Sequence, residues 1–163
     1  MSVSLIYRKF SNFLNYFHHN KIVFLTFIFL VKKIIVFADK RLNNLGVHDG
    51  KLAPCLNSAN CVCSQNSDAV HQIPPLNFTS NPEEAIAAVK GIIQSLSITK
   101  IITESNDYLY VELKSAFLGF VDDVEFYLNR NTNTIQVRSA SRLGYGDLGV
   151  SRQRIEAIRT NFN

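Results

Sequence analysis

Apolar and polar residues alternate at Tyr108–Ser115 and at Asp122–Leu128, and a turn signal adjoins each of these segments. A half-buried strand shows this period of two, because successive side chains point to opposite faces of a sheet. The turn signals Ser105–Asp107 and Asn129–Asn133 are short, which favours antiparallel pairing of neighbouring strands. The four predicted strands are Ile98–Glu104, Tyr108–Ser115, Asp122–Leu128 and Thr134–Ser141.

A helix signature flanks these strands on each side. Asn81–Glu84 predicts a helix start, because Asn caps, Pro suits the first position and acidic residues suit the first turn. A second helix is predicted at about Ser151–Asn161, with Ser151 as its cap. The predicted class is therefore α+β: a four-stranded antiparallel meander with an N-terminal and a C-terminal helix on one face, preceded by an irregular Cys-containing arm. The other sheet face is polar and is expected to face water or a partner.

Residues 1–38 carry the chain's excess of positive charge. They hold five basic and no acidic residues, whereas the remaining residues hold 12 basic and 13 acidic ones, a net charge of −1. Nucleic-acid binding usually requires a clustered positive surface. We therefore expect no nucleic-acid partner.

The same leader has the layout of a secretory signal. Its apolar run, Ile22–Val31, follows basic residues and is too short to span a bilayer, which takes about 20 residues. Cleavage is predicted after Ala38. Lys32 and Lys33 leave two alternatives open: an uncleaved membrane anchor over residues 22–38, or an organellar transit peptide. The expected location is exported (periplasm or thylakoid lumen) or membrane-anchored, with the plastid as the alternative.

Residues 39–80 predict an extended irregular arm, separate from an α+β core over residues 81–163, because they are rich in Pro, Asn and Ser. The arm contains Cys55, Cys61 and Cys63. In an oxidising compartment a Cys55–Cys61 disulfide would close a small loop and leave Cys63 over. Inert thiols, a metal site, or a Cys nucleophile with His71 as its base are the alternatives.

An acidic cluster, Asp122, Asp123 and Glu125, lies on the third predicted strand. In the register that aligns Phe126 with Val137, Glu125 falls opposite Arg138 and Arg142 lies near Asp123. The simplest interpretation is a cross-strand ion-pair lattice on a solvated face. A ligand or partner site is the second, and metal binding or acid–base catalysis the third.

The motif Gly144–Gly149 has the G-x-G-x-x-G spacing of dinucleotide-binding loops. That fingerprint needs a β-α-β unit with an acidic residue about 20 positions later, and too little chain follows. We interpret the motif as a tight loop, with a small-anion site near Arg152 as an alternative. No cofactor is expected.

Three ordered motifs together resemble the domain of unknown function 1499 family, over about residues 45–162. They are Leu52–Cys55 with Asn60–Val62 and Ser64-Gln65; Phe120–Phe126; and Val137–Arg142 with Gly144-Tyr145, Asp147–Val150 and Arg152. The resemblance implies no particular activity, but many members begin with a signal or membrane segment. Cys63 stands where the family usually has Ser, which implies that Cys55 and Cys61 are the pair.

We predict an exported or membrane-attached, non-catalytic binding domain with an Arg/Asp-rich polar patch. Its partner would be a small anionic ligand or a protein, with membrane attachment through residues 22–38. The alternatives are a hydrolase using Asp122, Asp123 or Glu125, and a structural assembly protein. The binding candidates are Asp122, Asp123, Glu125, Arg138, Arg142, Tyr145, Asp147 and Arg152.

Overall fold

The computed structural model describes residues 25, 26, 29, 40–96, 99–114, 120–144 and 146–162. The chain divides into two compact units, Met1–Phe37 and Ala38–Asn163. In the first unit the described residues Leu25, Thr26 and Phe29 are helical, and the rest of the predicted leader lies outside the described residues. Within the part of the chain that the structure describes, no helix combines the length and apolarity needed to cross a membrane.

The described residues of the second unit form two helices and eight strands. The helices are α1 (Pro82–Ser95) and α2 (Val150–Phe162), and the strands are β1 (Val47–His48), β2 (Lys51–Leu52), β3 (Cys61–Cys63), β4 (Leu76–Asn77), β5 (Thr99–Glu104), β6 (Tyr108–Lys114), β7 (Val121–Asn129) and β8 (Thr134–Ser141). The class is α+β, as predicted. Strands β5 to β8 pair in sequence order as an antiparallel meander.

In the described part of the chain the main sheet has six strands rather than the four predicted. Strands β3 and β4 both pair with β8, at opposite ends of its outer edge. They come from the arm that the sequence predicted to be irregular. Without them β8 would leave a row of backbone N–H and C=O groups unpaired, so the arm completes the sheet. Strands of two or three residues are too short to show alternation, which is why the sequence pattern did not reveal them.

The hydrophobic core lies between one face of the sheet and the two helices. Alternate residues of β6, β7 and β8, such as Val111, Phe126 and Val137, are fully buried there. Val89 of α1 and Ile155 of α2 belong to the same cluster. Both helices therefore cover one face, as the apolar periodicity predicted.

The helix starts differ in how well they were predicted. At α1 the Asn81 side chain accepts a hydrogen bond from the Glu84 backbone N–H at 2.8 Å, as a capping Asn does. At α2 the predicted cap, Ser151, is a buried residue inside the helix. The capping group is Asp147, whose carboxylate accepts from the N–H groups of Gly149 and Ser151 at 2.9 and 2.8 Å.

Candidate functional site

The sheet face opposite the helices carries a row of charged and phenolic side chains. The register pairs Glu125 with Arg138 and Phe126 with Val137, as the sequence predicted. It also pairs Glu125 with Tyr110, and Asp123 with Glu112. We call this set the charged face; its members are Arg41, Tyr108, Tyr110, Glu112, Asp123, Glu125, Arg138 and Arg142.

The inner part of the charged face is a buried ion pair between Glu125 and Arg138. Arg138 Nη1 donates to Glu125 Oε2 at 2.9 Å, and the side chains of Arg138 and Glu125 are 3% and 0% exposed. Glu125 Oε1 accepts from the Tyr108 hydroxyl and from the Gly46 backbone N–H, both at 2.7 Å. Both carboxylate oxygens are therefore occupied. Burial, together with the negative charge of Glu125, raises the pKa of Tyr108.

A second buried group joins Asp123, Arg142 and Tyr110. Arg142 donates to both Asp123 oxygens, with Nη2–Oδ1 at 2.7 Å and Nε–Oδ2 at 3.0 Å. The Tyr110 hydroxyl donates to Asp123 Oδ1 at 2.6 Å. Burial and this hydrogen bond raise the pKa of Tyr110. The Asp123 carboxylate is thus bound by a guanidinium and a phenol at once.

The outer margin of the charged face is formed by Glu112 and Arg41. Glu112 Oε1 accepts from Arg142 Nη2 at 2.5 Å and from Arg41 Nη2 at 2.6 Å. The Arg41 guanidinium also lies 5.6 Å from the centre of the Tyr110 ring, a cation–π distance. Burial alone would raise the pKa of Glu112, but hydrogen bonds from the two arginines outweigh it and hold the pKa below its usual value. The Arg41 side chain is 51% exposed and that of Glu112 17%, so solvent reaches the network here.

The interpretation of this lattice as a solvated surface is wrong. Asp123 and Glu125 have no exposed surface, because the arm folds against the charged face through Gly46 and Arg41. Burying charges is tolerable only when they are paired and hydrogen-bonded. Pairing with Arg138 and Arg142 meets that condition for the two carboxylates, whereas Arg138 Nε, among the described residues, is buried without a hydrogen-bond partner.

Of the eight predicted binding residues, the structure brings together Asp123, Glu125, Arg138 and Arg142. Asp122 lies on the opposite face, where it pairs with Arg154 of α2. Asp147 caps α2. Arg152 donates to the carbonyls of Val70 and Gln72, both at 2.9 Å. Its guanidinium is therefore already bound, which argues against the alternative of an anion site near Arg152. Tyr145 lies outside the described residues.

Four members of the charged face did not figure among the predicted site residues. Strand alternation already placed Tyr110 and Glu112 on one face of β6, and Tyr108 follows from the same alternation. The sequence carries no signal for Arg41, because its contact with Glu112 joins residues 71 positions apart.

A disulfide links Cys55 to Cys61, with an S–S distance of 2.08 Å and a Cα–Cα distance of 5.7 Å. Cys63 is a free, buried thiol whose pKa is raised by burial. Inside the disulfide loop, the Asn60 amide donates to the carbonyls of Ser141 and Gly144 at 3.1 and 2.7 Å. The loop thus holds the segment that carries Arg142. No group of three His, Cys, Asp or Glu side chains among the described residues is arranged to hold a metal.

Fold and site together define a small α+β domain with a buried charged network on the sheet face that its helices leave open. The model of a family described as proteins of unknown function (DUF1499) matches residues 51–162. The chain therefore belongs to that family, which confirms the resemblance. A comparison with curated proteins gives no match.

Proposed function

We propose that this protein is a non-catalytic binding domain, exported or held at a membrane, that captures an acidic group at the outer margin of its charged face. The observation that carries the proposal is the half-exposed Arg41 beside Glu112 and above Tyr110. Arginine suits this role because its planar fork binds carboxylate or phosphate through two parallel hydrogen bonds.

The occupied carboxylates favour binding over catalysis. A general base or nucleophile needs a free oxygen within reach of a substrate. Both oxygens of Glu125 and of Asp123 instead accept hydrogen bonds from Arg138 and Arg142 and their neighbours. A hydrolase would have to break these buried pairs before each turnover.

The different burial of the three arginines also indicates different roles for them. Arg138 and Arg142 are almost fully enclosed, so in this proposal they position the sheet face and its carboxylates. Arg41 makes the first contact with the partner. Membrane attachment or export through residues 1–38 would deliver the domain to that partner.

The test is native mass spectrometry of the protein as purified from its own cells, with Arg41→Ala and Arg130→Ala variants alongside. Arg130 is the matched control, because its side chain is 45% exposed and it also binds one glutamate, Glu83, at 2.7 Å. We expect an acidic ligand or partner on the wild type and on Arg130→Ala, and its loss from Arg41→Ala.

Equal capture by all three proteins would overturn the proposal. Turnover in a screen of hydrolase substrates that vanishes in Asp123→Asn would favour an enzyme instead. Self-assembly that is unaffected by Arg41→Ala, with no bound acidic partner, would favour a structural assembly protein.

A further inference from the structure

The Glu112 carboxylate is held as a bound anion would be held. Two guanidiniums, from Arg41 and Arg142, converge on its Oε1 atom, and the Tyr110 hydroxyl lies 3.3 Å from the same atom. Arg142 is fixed from behind by Asp123, so its Nη2 group is directed at this position without needing Glu112. We call Arg41, Tyr110 and Arg142 the Glu112 site.

The Glu112 side chain can leave this site more readily than the other carboxylates of the charged face. It is 17% exposed, whereas the side chains of Asp123 and Glu125 are completely enclosed. One of its two partners, Arg41, is itself half in solvent. An ion pair at such a margin is weaker than a buried one, because water competes for both partners.

The charges around the site favour an anion when Glu112 moves out. Lys100 is the cross-strand partner of Glu112 on β5, and Asp123 is its partner on β7. Cross-strand pairing thus adds the cation Lys100 to Arg41 and Arg142 beside this position, while the Asp123 carboxylate is already bound by Arg142.

We propose that Glu112 is an internal stand-in for the ligand, and that a small oxyanion, a carboxylate or phosphate group, binds the protein by displacing it from Arg41 and Arg142. This inference rests on the proposed function and deepens it, because it names the atoms that hold the acidic group. Exchange of one anion for another keeps Arg41 paired, while Asp123 holds Arg142 throughout.

The experiment removes the stand-in from the full-length protein, kept in a non-ionic detergent. Isothermal titration calorimetry with inorganic phosphate, and separately with acetate, compares the wild type with Glu112→Ala at an ionic strength held constant with chloride. We expect Glu112→Ala to bind phosphate or acetate at least tenfold more tightly than the wild type. The tighter of the two anions distinguishes a phosphate-bearing from a carboxylate-bearing ligand.

Glu83→Ala is the matched control, because it frees one exposed arginine, Arg130, without creating a paired site. It should gain no affinity. The double variant Glu112→Ala with Arg41→Ala should lose the gain. If Glu112→Ala does not fold, Glu112→Gln keeps the shape and loses the charge, and should show the same gain in smaller measure.

Phosphate and acetate binding by Glu112→Ala no tighter than by Glu83→Ala would overturn the inference. The outcome is separable from that of the proposed function. If Arg41→Ala loses the natural partner but Glu112→Ala gains no affinity for phosphate or acetate, the proposed binding function stands and the role of Glu112 as a stand-in is wrong. If Glu112→Ala gains affinity for the anions but Arg41→Ala still captures the natural partner, the anion site exists and does not bind that partner.

Discussion

At the scale of single residues, the buried pair of Arg138 and Glu125 changes what a mutation there means. From the sequence, a solvated Arg138 would be replaceable by alanine with little effect on the fold. In the structure the substitution would leave Glu125, which has no exposed surface, without its cation. An uncompensated buried charge costs far more than a lost surface pair.

We therefore predict that Arg138→Ala lowers the free energy of unfolding by about 3–5 kcal/mol. Urea denaturation followed by circular dichroism measures it. Arg130→Ala, which breaks an exposed pair, should lower it by less than about 1 kcal/mol. Similar losses of unfolding free energy in the two variants would show that burial does not determine how much the Arg138–Glu125 pair contributes to stability.

The phenols beside the buried carboxylates predict a loss of stability in alkali. Burial and their carboxylate partners raise the pKa of Tyr108 and of Tyr110, so the folded protein favours the neutral phenols. Their stabilising contribution is complete below the unfolded pKa of about 10 and is lost as the pH rises above it.

Urea midpoints between pH 9 and pH 11 measure this effect. We expect the midpoint of the wild type to fall over that range, and that of Tyr110→Phe to fall less steeply. Absorbance of the phenolate should also show that the folded wild type has a late-titrating fraction, which decreases in Tyr110→Phe. Identical pH profiles for the two proteins would contradict the prediction.

At the scale of elements, the disulfide loop and the segment after β8 form one unit. The Ser141 backbone N–H donates to the Asn60 carbonyl at 2.9 Å, and the Asn60 amide binds carbonyls on either side of Arg142. The disulfide between Cys55 and Cys61 closes the loop in which Asn60 lies. Order in this loop is therefore transmitted to the position of Arg142.

We predict that replacing both Cys55 and Cys61 by serine lowers the free energy of unfolding by about 2 kcal/mol, the value expected for a loop this short. Hydrogen exchange at Ser141 should become faster in the variant, because its acceptor, Asn60, is less constrained. Unchanged hydrogen exchange at Ser141 would show that the disulfide does not influence the segment that carries Arg142.

A helix cap supplies the control for that experiment. Asn81→Ala removes the side chain that caps α1 and should lower the free energy of unfolding by about 1 kcal/mol. Hydrogen exchange should become faster in the first turn of α1 and stay unchanged at Ser141. Faster exchange at both places would mean that the effect of the cysteine variant is only general destabilisation.

At the scale of the whole molecule, we predict that the leader, residues 1–38, determines where the domain works. We expect the mature protein, purified from its own cells, to lack residues 1–38, and intact-mass spectrometry measures this directly. Cleavage after Ala38 would mean export by a signal peptide. Retention of the full 18.4 kDa chain would mean an anchor and would contradict the predicted cleavage.

The sequence predicted best those features that depend on neighbouring residues. Alternation located β6 and β7, the turn signals located β5 and β8 beside them, and the Asn81 cap and apolar period located α1, because each pattern reports a local geometry. The register of β7 against β8 was also accessible, since a short turn limits how two neighbouring strands can pair. The pairing of Glu125 with Arg138 followed from that register.

Only the tertiary structure decided whether the charged face meets water. The contacts that cover it, from Gly46 to Glu125 and from Arg41 to Glu112, join residues 79 and 71 positions apart, and no periodicity encodes them. The same holds for β3 and β4, whose pairing depends on the unfilled edge of β8 rather than on their own composition. Amino-acid order therefore determined the elements and the charges that face one another, whereas the folding of the arm over them determined which charges are buried and which remain open to a ligand.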